Sequence, residues 1–207
     1  MVLRGAWVLA LAIGLSACGE AGRGGEPDRH ESGGAEGHSG RSGRDLGMEM
    51  HEAMASAVGS DVSDTWVRKM IAHHQGAVAI TDSVVAEGGD PEVAAIARRM
   101  GAAQRREIEE MKRWVRKDAA PDPASARPYL ASEKQMHEAM TAAGGADSSQ
   151  AFLRQMIPHH QGAIAMSEIV LAQGRDERVA DLARRIVADQ GKEIGEMEAM
   201  LSKRSRP

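Results

Sequence analysis

Two pairs of adjacent histidines, His73-His74 and His159-His160, head the same short motif, His-His-Gln-Gly-Ala, 86 residues apart. Met70 and Met156 stand one helical turn before them, on the same face of a helix. A second pattern recurs at the same offset: Met50-His51-Glu52-Ala53-Met54 becomes Met136-His137-Glu138-Ala139-Met140. Its methionines are i,i+4 pairs, and its histidines adjoin them. Downstream, Gln104, Glu107 and Met111 become Gln190, Glu193 and Met197. Imidazole and thioether without thiolate form a donor set that suits copper best. Soft thioethers select Cu(I), and imidazole also serves Cu(II), zinc and nickel. In an oxidising compartment methionine is the more durable soft ligand, because thiols there are consumed by disulfide chemistry. The spacing establishes a cluster of His, Met and Glu; it does not name the metal.

Each of these residue types also has a structural use. Methionine fills irregular gaps in helical cores. A core histidine can pair with a core glutamate, as His74 or His160 with Glu107 or Glu193, and form a satisfied polar cluster. Glu107 and Glu193 stay open between three roles: carboxylates that orient a His ligand, direct ligands, or structural partners. A ferritin-like di-metal oxidase is a further reading. That chemistry wants a Glu from each of two helices and Glu-x-x-His from each of the other two. The residues three before His73 and His74 are Met70 and Ile71, so the pattern is missing and only two core carboxylates are at hand. No nucleophile–base arrangement and no Gly-rich phosphate loop is evident. A binding protein is therefore expected rather than an enzyme.

The motifs belong to a longer duplication. Residues 50–111 realign with 136–197 without a gap, and roughly half of the paired positions are identical, the mark of an internal repeat. Six of the eight histidines and eight of the thirteen methionines fall at matched positions, so His and Met are what the duplication kept. Each copy divides into three helical pieces. The first is short and carries Met-His-x-x-Met. The second starts after the capping cluster Asp61-Val62-Ser63-Asp64, runs to about Glu87, and stops at Gly88-Gly89. The third opens with Asp90-Pro91-Glu92, an N-cap, a first-turn proline and a first-turn acid, and runs to about Lys117. The linker 118–127 holds Pro121 and Pro123. Copy two predicts helices at about 149–173 and 177–203. The expectation is an all-α, four-helix bundle over residues 46–203, flanked by the two short Met/His helices.

At about 100° per residue, His74 falls on the apolar stripe of its helix, His73 on the margin, and Gln75 points away. Glu107 lies on the core-facing stripe of the next helix with Gln104 and Met111, as do Glu193, Gln190 and Met197 on its counterpart. A carboxylate at a core position needs a partner or a proton. Pro158, where copy one has Ala72, predicts a kink beside the second His pair rather than a break.

Composition bounds the rest. The chain has 207 residues, 42% hydrophobic but only 2% aromatic, and a net charge of −4. Acids and bases alternate along helical faces, which argues against a nucleic-acid partner. Arg4 followed by the apolar run Ala6–Leu15 reads as a secretory leader, too short to span a bilayer. Leu15-Ser16-Ala17-Cys18 is similar to a bacterial lipobox, with Cys18 as the lipidated residue; Cys18 is the single cysteine. Several acyl chains on it would make a firm membrane anchor. Residues 19–45 are rich in Gly, Ser, Arg and Glu and read as a flexible tether. His30 and His38 lie within it.

Met156-Ile157-Pro158-His159-His160-Gln161-Gly162-Ala163-Ile164-Ala165-Met166, with Gln190-x-x-Glu193-Ile194-x-x-Met197, resembles the bacterial family called domain of unknown function 305. Met70 to Ala77 is a degenerate first copy of the same motif. The resemblance covers about residues 46–202. It implies a ferritin-like four-helix bundle, secreted or lipid-anchored, and some members of the family are associated with copper binding and copper tolerance. The reading that results is an extracytoplasmic lipoprotein, at the periplasm or cell surface, that binds Cu(I) or Cu(II) as chaperone, buffer or tolerance factor and exchanges it with a protein partner. The expected primary ligands are His73, His74, His159 and His160 with Met70 and Met156. Met50, His51, Met54, Met136, His137 and Met140 form a more exposed capture set. The alternative is a metal-free helical scaffold that binds a partner protein, with structural His–Glu core pairs.

Overall fold

A computed structural model describes residues 42–204. The expected leader, Cys18 and most of the tether lie outside them. Six α-helices and one 3-10 helix make up the described part, with no strand among the described residues. In chain order they are α1 (Gly43–Ser56), α2 (Val62–Ala86), α3 (Pro91–Lys112), the 3-10 helix Pro123–Tyr129, α4 (Leu130–Ala142), α5 (Ser148–Gln173) and α6 (Glu177–Arg204). The long helices fall where capping residues place them. Asp61 accepts from the Asp64 N–H at the start of α2, and Asp147 from the Gln150 N–H at the start of α5. Asp90 accepts from the N–H groups of Glu92 and Val93 ahead of α3. Each satisfies donors that the first turn leaves unpaired.

Two boundaries differ from the sequence reading. α1 starts at Gly43, inside the expected tether, because Ser42 and Asp45 form a capping box. α3 ends at Lys112, about one turn early. The backbone beyond it is captured by α2: Arg68 donates to the carbonyl of Arg116 (2.7 Å), and the Arg116 N–H donates to Asp64 (3.3 Å). α5 runs unbroken through Pro158, in keeping with the expectation that the proline does not end the helix.

The helices pack as three antiparallel pairs related by the 86-residue offset. α2 and α5 form the central pair. α3 packs on α2, and α6 on α5, while α1 and α4 cover the opposite side and touch each other. α3 and α6 are tied across by Arg185–Glu110 (2.9 Å), Lys203–Glu92 (3.4 Å) and Arg99–Glu196. The four-helix bundle of α2, α3, α5 and α6 is thus present, and the short helices add a third layer. Being covered on both sides, α2 and α5 bury residues around much of their circumference, including Trp66, Met70 and Ile80 on α2 and Leu153, Met156 and Met166 on α5. The outer pairs bury one stripe each.

The pseudo-symmetry extends to hydrogen bonds. Ser63 at the start of α2 accepts from the Arg175 N–H (3.0 Å) in the turn between α5 and α6. Its counterpart Ser149 accepts from the Asp90 N–H (3.0 Å) in the turn between α2 and α3. Each central helix therefore holds the far turn of the other, which fixes their antiparallel register.

One buried pair breaks the symmetry. Lys69 of α2 is 1% exposed; its Nζ donates to the carbonyl of Met54 at the end of α1 (2.7 Å) and lies 2.8 Å from Glu133 of α4. Copy two has Gln155 and copy one Gly47 at the corresponding places. Burial raises the Glu133 carboxyl above its ordinary pKa, and the Lys69 ammonium opposes that rise. This ion pair joins three helices of the upper two layers. Removing one partner of a buried pair leaves an uncompensated charge, at a cost of about 3–5 kcal/mol. Lys69→Met alone should therefore lower stability by about that amount in urea unfolding, and Lys69→Met with Glu133→Leu should recover most of it.

Candidate metal centre

α2 and α5 cross where the histidine pairs face each other. Both helices are continuous there, and the backbone carries adjacent imidazoles into the interface between them. His73 Nε2–H donates to the carbonyl of His159 (3.2 Å), and His159 Nε2–H donates to the carbonyl of His73 (3.3 Å). Their ring centroids are 3.7 Å apart. A residue that touches its own repeat mate lies on the pseudo-twofold axis, so His73, placed on the margin of the apolar stripe, is the axial residue of the bundle. His74 and His160 point outward from this pair, toward α3 and α6. His74 Nε2–H donates to Glu107 and His160 Nε2–H to Glu193, each at 2.7 Å. Neighbouring rings within each pair are 5.8 Å apart. The result is one row: Glu107, His74, His73, His159, His160, Glu193.

All four imidazoles are fully buried. Each spends its Nε2 on a hydrogen bond, and each Nδ1 is buried without a partner. A carbonyl only accepts, so the proton of His73 and His159 is fixed on Nε2. Burial, and then the neighbouring histidines, hold the pKa of both rings well below the ordinary imidazole value. They are neutral at pH 7, with the Nδ1 lone pair free. The carboxylates Glu107 and Glu193 are only partly buried, at 20% and 16% side-chain exposure. That partial contact with water reduces what their core-facing placement costs.

The remaining expected ligands divide. Met70 and Met156 are fully buried one turn before the His pairs. Met50, Met54, Met136 and Met140 are also buried, between 0% and 4% exposed. The expectation of an exposed methionine capture set is therefore corrected. α1 and α4 lie with these side chains against the central pair, and burial of a Met side chain is worth about 1.5–3 kcal/mol. His51 and His137 alone of that set stay half-exposed. Their rings stack on each other at 4.1 Å, again across the axis. Burial, and then His137, lower the His51 pKa. Gln104 and Gln190 are buried but hydrogen-bond to no histidine; both Gln104 side-chain polar atoms and Gln190 Oε1 have no partner. Met111 and Met197 are core residues. Cys18 lies outside the described residues.

The glycines of the motif were not singled out by sequence reasoning. A Cβ on Gly76 would stand 2.5 Å from Met50 Cγ, and one on Gly162 2.4 Å from Met136 Sδ. These glycines are notches that let α1 and α4 lay a thioether against the central helices, one turn from His73 and His159. The available signal was a glycine inside a helix in both copies, where it costs about 1 kcal/mol in propensity. Among the described residues no three His, Cys, Asp or Glu side chains gather as a metal-holding group. What the row presents is imidazole in pairs, with the buried Met70 and Met156 one helical turn before them.

Comparison with known proteins places this arrangement. The family model described as Domain of unknown function (DUF305) matches twice in tandem, over residues 15–115 and 116–201. The chain belongs to the DUF305 family. The two matches are the two halves seen in the structure. A DUF305 fragment from Deinococcus radiodurans is 27% identical and superposes with a TM-score of 0.53, covering 70% of this chain and 99% of that one. A DUF305 protein from Streptomyces coelicolor, named as a presumed secreted protein, is 25% identical with a TM-score of 0.54, covering 69% and 92%. An uncharacterised protein of Acanthamoeba polyphaga mimivirus is 42% identical over 53 residues, 26% of this chain and 35% of the viral protein's length.

Two outcomes follow for this DUF305 chain. Gly76→Ala should destabilise the fold by about 1–3 kcal/mol through overpacking, despite the propensity gained; Met50→Ala in the same chain should relieve the clash, as read by thermal unfolding. The unfolded chain protonates His73 and His159 near their ordinary pKa of about 6.5, whereas the folded one resists. Stability of the chelator-treated protein should be unaffected by these groups above about pH 6.5 and fall progressively below it, with His73→Asn/His159→Asn showing a flatter profile.

Proposed function

We propose that this chain is an extracytoplasmic copper-binding protein, held to a membrane by a lipid on Cys18, that buffers copper or confers tolerance to it. Copper is its cargo, and no catalysis is assigned. The observation that carries the reading is the row of four buried imidazoles with every Nε2 engaged and every Nδ1 unpaired. A buried nitrogen left unpaired costs about 1–3 kcal/mol, and purely structural core histidines are ordinarily satisfied at both nitrogens. A carboxylate or carbonyl fixing one ring nitrogen while the other is free is the pattern of metal-ligating histidine. The residues assigned as ligands are His73, His74, His159 and His160, with thioethers from Met70 and Met156 and from Met50 and Met136 on the glycine notches. Glu107 and Glu193 orient His74 and His160.

The leader-like N-terminus, the lipobox-like Leu15-Ser16-Ala17-Cys18 and the name of the Streptomyces relative support export. Among the described residues no helix is long and apolar enough to cross a membrane. A metal-free scaffold is the second reading. It is favoured by the lack of a preassembled group of three His, Cys, Asp or Glu donors among the described residues and by the closed His–Glu pairs.

The test is titration of the chain beginning after Cys18 with Cu(I) and Cu(II) against a competing chelator. Tight binding that is lost when His73, His74, His159 and His160 are all changed to Ala, with helicity checked by circular dichroism, supports the assignment. Equal affinity in that variant sinks it, and a folded protein that takes up no metal favours the scaffold. Glu107→Gln with Glu193→Gln should weaken copper binding by about tenfold, the lower end of the usual effect of removing a ligand's supporting partner.

A further inference from the structure

The four inner imidazoles are fully buried, so an ion that reaches them needs an entrance. α1 and α4 form the cover over the central pair, and they meet at His51 and His137. These two rings are the half-exposed histidines among the described residues, whereas the other four are fully buried. They stack at 4.1 Å across the same pseudo-twofold axis that passes between His73 and His159. His51 Nδ1 is buried without a partner. Met54 and Met140 follow these histidines by one helical turn and are buried, and Met50 and Met136, which directly precede them in sequence, lie on the glycine notches.

We propose that His51 and His137 form a second site for a soft monovalent cation, the exchange port through which Cu(I) enters and leaves the inner row. The proposal rests on the inner row being the copper site. Two imidazoles suit a closed-shell Cu(I) ion, which is content with two or three soft donors. As stacked, the rings face each other. Clamping an ion requires one or both to turn edge-on, a motion that half-exposure allows. One further feature favours passage. Met48, one turn before His51, is 46% exposed; its thioether is a first soft contact outside the pair. Copy two has Lys134 at that place, so the port has one soft side.

The experiment follows ring-nitrogen NMR signals of the full mature chain during titration with Ag(I), a closed-shell probe of the same preference, and then with Cu(I). The His51 and His137 signals should move with the first additions, before those of His73, His74, His159 and His160. In His51→Phe/His137→Phe, which keeps a stacked aromatic pair, the inner signals should reach the same end point but by slower loading in stopped-flow mixing. His51→Gln/His137→Gln guards against an effect of ring size. Inner signals that load at the original rate in both variants overturn the port. So do outer signals that never move while the inner ones do. Outer signals that move while the inner ones never do overturn both the port and the inner copper row, and leave an isolated surface site.

Discussion

The structure depends on one contact, the reciprocal pairing of His73 with His159. Each imidazole donates to the main-chain carbonyl of the other, with ring centroids 3.7 Å apart. Two polar rings can sit at the centre of an apolar helix pair only if their N–H groups are satisfied. Here the partner helix alone offers the acceptors. α2 and α5 must consequently cross at one register, and Ser63 and Ser149 hold the distant turns that this register brings within reach. The outer helices follow: α3 and α6 supply Glu107 and Glu193 to the next histidines outward, and α1 and α4 settle onto the glycine notches.

The duplication and the chemistry are therefore one design. A single repeat carries half of the row and half of the cover. Fusing two repeats places His73 against His159 and His51 against His137, so both axial pairs exist only in the assembled bundle. The same symmetry that builds the row leaves four buried Nδ1 atoms unpaired. The central helices satisfy the Nε2 of His73 and His159, and Glu107 and Glu193 that of His74 and His160, while the second ring nitrogens are left without a partner. Lys69 of the first half and Glu133 of the second stand outside the symmetry and tie α1, α2 and α4 with a buried ion pair that has no symmetry mate. The halves are consequently similar in fold and unequal in electrostatics.

Much of this was legible in the chain. The offset of 86 residues, the caps at Asp61 and Asp90 and the apolar stripes gave four long helices, most of their ends within a few residues of those observed. The stripe geometry also put Glu107 and Glu193 inward, and the pairing with His74 and His160 follows from it. These features are local: a cap acts within its own turn, and helical phase is set by a fixed rotation per residue. The early end of α3 was not legible, because Arg68 and Asp64 of another helix capture its exit.

The sequence by itself determined the elements, the repeat and which donor types the core would hold. Only the tertiary structure decided where those donors sit. His73 is marginal on its own helix and axial in the bundle, since α5 supplies the second half of its surroundings. The methionines of α1 and α4 look like an exposed set until Gly76 and Gly162 give them a surface to lie on. Whether two copies make two sites or one depends on contacts between helices 86 residues apart, and no local rule reaches that far. Packing around the axis joins both histidine pairs into a single row.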